Sequence, residues 1–587
     1  MLVPRSRWRF PTPTPVPSAL IAAARELGIG PRAMAILAAR GVTSDDEVHR
    51  FLGDAAGSLH DPARLPDAAI VAERIARARE RGEAVLVFGD FDADGITGLA
   101  LLTLTLRRLG IEAIPYVPSR LEEGHGLSLA AVEAARAARA TLIVTVDTGS
   151  SSVAEVAAAN DAGIDVIITD HHRLPAQVPP ALAIVNPHRA DSAYPEQRLA
   201  GSGVAFTVAR LLIGDAALAF ADLAAIGTVA DLAPVLGENR AIVRLGLELL
   251  RTAPRPGLAA LFTAAHIDPA SLDLETLAFA VAPRLNAAGR VGEAFDAARL
   301  LLAENEEEAA NLATVLDAAN ATRRDLLRSA VAEARTSPDA VDDAPATIIR
   351  GAWPVGIVGL VASRLAEERR RPAIVGADLG PIVRASCRSA GELHLADTLA
   401  ECSDLLLRHG GHAGAAGFEI RTEDWAAFRE RFLALAAAAP QPDPLPAQPI
   451  DLAVRARDVD YALLRDLLRL APYGTGNPEP MVAVLGLTVT RAREADGGHS
   501  QLVLKRRLDV VDGIAFGWPE LSHEVVEGDA IDVVARLMSR RFGGIESLQL
   551  DIRDAAPSGS HPEARAILDA DPVPVGPGPG VGLAQAS

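Results

Sequence analysis

From Glu83 to Asp231 the chain alternates short apolar runs with Ala-rich helical stretches. The runs are AVLVFGD ending at Asp90, IEAIPYVP at Pro118, TLIVTVD at Asp147, DVIITD at Asp170 and ALAIVNP at Pro187. Near-continuous Val/Ile/Leu runs separated by helices predict a parallel sheet covered on both faces. Ligands of such sheets bind beyond the carboxyl ends of the strands. Three of the five runs finish on Asp.

The pattern changes on either side. Ser18 to about Asp61 reads as short helices, with Ser44 to Glu47 in the S-x-x-E form of a capping box. Leu236 to Arg335 is helix-rich, and the acidic run Glu304 to Glu308 reads as a solvated helix face. A second α/β unit runs from about Ala346 to Ala437, with ATIIR and RPAIVG as strand candidates. Pro440 to Pro449 is a linker. Five β-like runs follow: MVAVLGLTVTRA, SQLVLKRR, DVVDGIAFGW, DAIDVVARLMSR and ESLQLDIRD. They suit a small closed barrel of the OB type. The tail is rich in Pro, Gly and Ala and is expected to be disordered. The division is a helical lead-in (1–65), a parallel-sheet domain (66–235), a helical connector (236–345), a second α/β domain (346–440), a barrel (441–556) and a tail (557–587).

Composition narrows the chemistry. A chain of 587 residues exceeds the ~250–300 at which one core stops growing. Two cysteines, Cys387 and Cys402, exclude a disulfide framework and a Cys-rich metal site. Of 57 basic residues only Lys505 is a lysine, so there is no P-loop, and cationic phosphate contacts fall almost entirely to arginine or metal. The net charge of −19 argues mildly against nonspecific coating of nucleic acid and says nothing of a local groove. The N-terminal MLVPRSRWRFPTPTPVP lacks the apolar core of a signal peptide. Apolar stretches are expected to break at Asp, Arg or Pro before the ~18 residues of a membrane span. The expected compartment is the cytoplasm, with no membrane partner.

The segment GDFDADGI places Asp90, Asp92 and Asp94 in one loop after a strand. Carboxylates this close need positive charge to stay ionised. An EF-hand calcium loop begins similarly, but its twelfth position would be Leu101 and a strand precedes it where a helix is required. Asp147 ends a second strand, Asp170, His171 and His172 end a third, and Asp231 closes GTVADLAP. Carboxylates with imidazole suit Mn²⁺ or Mg²⁺. Two ions ~3.5–4 Å apart would clamp a phosphoryl oxygen and lower the pKa of a shared water. Singly, a strand-end Asp is as readily a helix cap; together, at one sheet edge, these residues point to a metal site.

GDFDADG, VDTG and TDHH, in that order, resemble the motifs of the DHH phosphoesterase superfamily. With PSRLEEGHG (Pro118–Gly126), APRLNAAGR (Ala282–Arg290), GGHAGAAGF (Gly410–Phe418) and PYGTGNPEP (Pro472–Pro480), the chain resembles the RecJ family of exonucleases. The resemblance implies an α/β fold: a parallel-sheet DHH domain, a second α/β domain of the DHHA1 type and an OB-like β-barrel. It implies Asp92, Asp94, Asp147, His171 and Asp231 as ligands of two Mn²⁺ or Mg²⁺ ions. Asp90 matches an extra acidic residue of the motif, and Asp170 and His172 would orient ligands or touch the scissile phosphate. Phe91 and His125 stand where tyrosine is usual, and the role of His125 is left open.

Glycines of GGHAGAAGF would let backbone N–H groups approach phosphate, or form a tight turn; His412 would donate there. Ser386, Arg388 and Ser389 form a candidate anion pocket, which with Arg120 would hold a 5′-terminal phosphate. By resemblance Arg284, Asn286 and Arg290 are active-site or strand contacts. In the barrel Lys505, Arg506, Arg507, Arg536, Arg540 and Arg541, near Tyr473, Phe516, Trp518 and Phe542, offer charge for a strand's backbone and rings for its bases. The resemblance implies an exonuclease degrading single-stranded DNA 5′ to 3′ to 5′-mononucleotides in recombination and repair, with a single-stranded-DNA-binding protein and a helicase as partners. Two competing readings are a phosphoesterase of short oligonucleotides, cyclic dinucleotides or pyrophosphate, and a noncatalytic strand-binding scaffold.

Overall fold

The computed structural model describes residues 2–12, 16–120, 123–341, 343–391, 393–440, 445–542 and 545–569. They form two units, Leu59–Asp443 and a second made of Met1–Ser58 with Pro444–Ser587.

In the first unit all five apolar runs are strands: β1 (Ala84–Gly89), β2 (Glu112–Tyr116), β3 (Ala140–Val146), β4 (Asp165–Thr169) and β5 (Ala183–Val185). Every pairing is parallel, in the order β2-β1-β3-β4-β5. Chain order reverses between β1 and β3, and a doubly wound sheet binds its ligand beyond such a switch point. Helix α1 (Ala93–Arg108) follows β1 and is apolar on nearly all sides. It packs against the sheet and against two later helices, α2 (Gly201–Ile213) and α3 (Ala221–Ala230). A helix without a polar face is a central one.

The stretch Gly201–Ala230 is long and apolar enough to cross a membrane, against the expectation that no such run exists. Here its composition serves a core: α2 and α3 are separated by a 3₁₀ segment, and both are largely buried beside α1. Nearby, the wholly buried Glu238 accepts from the Tyr194 hydroxyl (2.6 Å) and the His60 N–H (3.0 Å) and faces Arg210 at 3.6 Å. Glu238→Ala strands these donors, so a loss of about 3–5 kcal/mol in the urea unfolding free energy is expected.

Helices α4 (Ala282–Val291) and α5 (Glu306–Thr336) lead to a mixed sheet. ATIIR and RPAIVG become β6 (Thr347–Gly351) and β7 (Ala373–Asp378), paired in parallel around α6 (Val355–Arg369). Three strands were not anticipated: β8 (Ile382–Arg388), β9 (Leu406–Gly411) and β10 (Ala415–Arg421), giving the order β9-β10-β8-β7-β6. GGHAGAAGF, expected either to approach phosphate or to form a tight turn, lies across the β9–β10 hairpin. In β8 burial alternates, with Val383, Ala385 and Cys387 in the core and Arg384, Ser386 and Arg388 on the opposite face.

In the second unit the five expected barrel runs form β11 (Val482–Ala495), β12 (His499–Arg506), β13 (Asp509–Ala515), β14 (Ala530–Phe542) and β15 (Ile545–Pro557). Pairing of β11 with β14 closes the barrel. The N-terminal segment packs on it. A strand Arg7–Arg9 pairs with Ala447–Pro449, inside the expected linker, and Trp8 donates through Nε1 to Asp554 Oδ2 at 2.8 Å. Three short helices follow, the third opening with the expected Ser44–Glu47 capping box. The expected disordered tail needs correction: Pro562–Asp569 is a helix, α7, with Ala564 and Leu568 buried in a cluster with Trp8 and Ile450. Those two residues, four apart, give the segment an apolar face that the composition of the whole tail conceals. Residues 570–587 lie outside the described part.

Candidate metal centre

The sheet continues one residue beyond three of its strands. The N–H groups of Asp90, Asp147 and Asp170 donate to Val146, Thr169 and Val185 on the neighbouring strands. This holds the three residues in a row along the carboxyl edge. Asp92 follows as N-cap of α1, its Oδ1 accepting from the N–H groups of Asp94 (3.0 Å) and Gly95 (3.1 Å). Asp94 is held by a second helix start: its two oxygens accept from Gly201 (2.6 Å) and Ser202 (3.0 Å) at the N-terminus of α2. Both carboxylates are thus fixed in direction by the N–H groups of helix N-termini. Gly201 must be glycine, because a Cβ there would stand 2.5 Å from the Asp147 Cβ.

His171 Nε2 lies 3.0 Å from Asp147 Oδ1, and its Nδ1 lies 3.9 Å from Asp231 Oδ2. The closer contact lacks hydrogen-bond alignment, so Asp147 Oδ1 stays buried without a donor, as does Asp90 Oδ1. Asp170 accepts from the N–H groups of His171 and His172, from His172 Nδ1 at 2.8 Å, and from Ser150 N–H at 3.1 Å. Asn186 donates to the His172 carbonyl. Asp170 therefore orients the histidine pair. Ligand atoms of Asp90, Asp92 and Asp147, of Asp94, His171 and Asp231, and of Asp147, His171 and His172 fall within 4.8 Å of one another in each trio.

Electrostatics show what the cluster lacks. Burial first, then Asp94, Asp92, Asp90 and Asp170, push the Asp147 carboxyl well above the usual carboxylate range. Burial and the neighbouring Asp90 and Asp94 raise Asp92 to about 6. Asp231, though 35% exposed, is raised to about 8 by desolvation and by Asp94 and Asp92. Asp170 differs: burial pushes it up, but the bonds from His172 and Ser150 hold it at about 2. Crowded carboxylates, two donorless buried oxygens and an imidazole are a donor set that fits Mn²⁺ or Mg²⁺.

A cationic group adjoins this edge. Arg120 stacks over the Phe91 ring at 4.3 Å, and its buried Nε has no partner among the described residues. Desolvation lowers its pKa, against the attraction of Asp90 and Asp92 and with the repulsion of Arg388. Desolvation, then Arg120, Arg323 and Arg388, lower Arg290 to about 9. Arg388 NH1 donates to Ser386 Oγ (3.0 Å) and the Cys387 carbonyl (2.8 Å). Mutually repelling, desolvated guanidiniums are suited to an anion.

Against known sequences the chain is 34% identical over 565 residues to the single-stranded-DNA-specific exonuclease RecJ of Bacillus subtilis, covering 95% of this chain and 72% of that protein. The chain belongs to the RecJ family. The model for the DHH family N-terminal domain matches residues 84–228, that for the DHHA1 domain 344–438 and that for the RecJ OB domain 450–554. The two sheets and the barrel are thus DHH, DHHA1 and OB folds. The chain is similar to a crystal structure of RecJ in complex with Mn²⁺ from Thermus thermophilus, with TM-score 0.80 and 30% identity over 95% of this chain and 80% of that one. It also resembles the Mg²⁺ complex from that organism, with TM-score 0.76 and 29% identity over 95% and 79%.

Other residues implied by RecJ resemblance lie differently. Arg284 is engaged elsewhere, donating to Asp317 Oδ1 (2.8 Å) and the Ala280 carbonyl (2.7 Å). Asn286 Oδ1 accepts from Ala93 N–H, so its amide oxygen is turned toward the metal loop. His412 stands at the exposed turn of the β9–β10 hairpin, its Nδ1 accepting from Gly414 N–H at 3.3 Å. His125 lies 3.3 Å from Asp90 and against the Phe91 ring. In the barrel Lys505, Arg507 and Phe516 are exposed, Trp518 is buried, Arg506 donates to the Leu485 carbonyl and Arg536 pairs with Glu479. The side chains of Arg541 and Phe542 lie outside the described part. The supports from Ser150, Asn186, Gly201 and Ser202 were missed by the sequence reading. Their signals were an Asn-Pro after a strand and GSG at a helix start.

Proposed function

We propose that this chain is a metal-dependent exonuclease that degrades single-stranded DNA from its 5′ end and releases 5′-mononucleotides. The observation that carries the reading is the juxtaposition of the carboxylate edge with an arginine: Arg120 stacks on Phe91, which lies between Asp90 and Asp92 in the chain, and it interacts electrostatically with both and with Arg388. Asp92, Asp94, Asp147, His171 and Asp231 would hold the two ions. When bound, the ions supply Lewis-acid stabilisation of phosphoryl oxygens and acidify a water. Asp170 accepts from His172 Nδ1 and raises the imidazole pKa to about 9, so the protonated ring would donate through Nε2 to an oxygen of the scissile phosphate. Asp90, grouped with Asp92 and Asp147, also acts electrostatically on Arg120. Ser386, Arg388, Arg120 and Arg290 would clamp the terminal 5′-phosphate, which sets polarity by positioning. The exposed Lys505, Arg507 and Phe516 of the barrel would also bind single-stranded DNA.

Family membership supports a setting in recombination and repair in the cytoplasm, with substrate supplied by a helicase and a single-stranded-DNA-binding protein. The test is cleavage of long 5′- and 3′-labelled single strands and of a dinucleotide, with Mn²⁺, Mg²⁺ or chelator. Mononucleotides should appear at once from 5′-labelled strands, with either ion and not with chelator. Cleavage of the dinucleotide alone, or release of the 3′ label first, would overturn the reading.

A further inference from the structure

A helix leaves its first N–H groups without partners inside the helix. At the start of α1 three of them, on Ala93, Asp94 and Gly95, find side-chain acceptors. Asp92 Oδ1 takes Asp94 and Gly95, the Asp92 carbonyl takes Ile96, and Ala93 N–H donates to Asn286 Oδ1 at 2.8 Å. Ala93 is wholly buried between two residues of the metal loop, and its partner comes from α4. That helix lies tightly on the loop: a Cβ at Gly289 would stand 3.1 Å from the Phe91 carbonyl oxygen. It is also fixed to the DHHA1 domain. Arg290 NH1 donates to the Gly356 carbonyl at 2.9 Å, and a Cβ at Gly356 would fall 2.5 Å from the Arg290 carbonyl oxygen. On the same helix, α6, a Cβ at Gly359 would meet Ser386 Oγ at 3.1 Å and Arg388 at 3.2 Å. Helix α4 therefore bridges the metal loop and the helix that backs the anion pocket.

We propose that Asn286 is a positioning residue for the metal ions and makes no contact with the strand. Its acceptor fixes the Asp92–Ala93–Asp94 turn, so that the carboxylates on either side of Ala93 keep their directions before any ion arrives. Asparagine suits the place because a neutral oxygen satisfies the N–H without adding charge to a crowded cluster. The proposal rests on the metal reading above.

The experiment is Mn²⁺ titration calorimetry on the full chain without DNA, paired with fluorescence anisotropy of a 5′-phosphorylated single strand in chelator. Asn286→Ala should weaken Mn²⁺ binding about tenfold, as loss of a ligand's support commonly does. Strand affinity should change less than about twofold, and lost kcat should recover at high Mn²⁺ with the KM for DNA unchanged. Asn286→Asp keeps an acceptor, and its added negative charge favours a bound cation, so its Mn²⁺ affinity should be at least that of the wild type. Asn286→Gln, with the acceptor displaced by a methylene, should behave like the alanine variant and serves if that one does not fold. Unchanged Mn²⁺ affinity with weakened strand binding would overturn the proposal, as would an aspartate variant as impaired as alanine. A wild-type chain that binds no Mn²⁺ would instead overturn the metal reading itself.

Discussion

Asp147→Asn is expected to abolish Mn²⁺-dependent cleavage and, in the same protein, to stabilise the metal-free chain. Asp147 sits in two of the three ligand trios, with one oxygen buried and donorless. Losing a carboxylate common to two candidate ligand trios should lower kcat by about 10³-fold, or about 4 kcal/mol. The opposite effect on stability comes from repulsion: without metal, Asp94, Asp92, Asp90 and Asp170 all disfavour a charge at Asp147. An uncharged amide of the same shape removes that term. Asparagine is preferred to alanine because Asp147 has φ 61, a region that Asn tolerates with little strain. Thermal unfolding should show a higher midpoint without metal and little of the rise that Mn²⁺ gives the wild type. Near-wild-type cleavage in the variant would remove Asp147 from the metal site.

The strand-end carboxylates were legible in the sequence because their strands are. Val85–Phe88, Leu142–Val146 and Val166–Ile168 are buried on both faces, so the runs are continuous and their ends distinct. Strand β8 buries one face fully and only half-buries the other, beside α6, and its pattern, I-V-R-A-S-C-R, interleaves polar residues that look like loop. The same alternation, once seen, places Ser386 and Arg388 on one side together. The division of labour within APRLNAAGR follows from its being a helix. Asn286 and Arg290, four apart, share a face and reach the metal loop and the arginine group. Arg284, two residues earlier, turns toward Asp317 on α5. Contacts between distant segments left no local trace. Asp554 gathers the N–H groups of Arg5 and Ser6, the Ser6 hydroxyl and the Trp8 indole, which no periodicity near either end announces. The orientation of Asp94 by Gly201 and Ser202 is of the same kind.

Arg388→Ala is expected to lower kcat/KM by about 10²-fold on a 5′-phosphorylated strand and by much less on a strand ending in a 5′-hydroxyl. Removing one partner of a desolvated charge contact costs about 2–5 kcal/mol, and the phosphorylated end alone presents that partner. With one lysine in 587 residues, the chain has little but guanidinium with which to meet a terminal phosphate. Arg388→Lys keeps the charge and loses the planar fork, so an intermediate effect is expected. Relief of repulsion among Arg120, Arg290 and Arg388 should leave the ligand-free alanine variant at least as stable as wild type, which separates lost recognition from lost structure. Arg284→Ala provides the contrast: with its guanidinium held by Asp317 and the Ala280 carbonyl, it should leave the preference between the two ends unchanged. Competition between phosphorylated and hydroxyl-ended strands in one reaction measures that preference directly. Equal losses on both ends in the Arg388 variants would mean that the arginine group grips the strand without reading its terminus, and the 5′ polarity would then have to arise elsewhere on the chain.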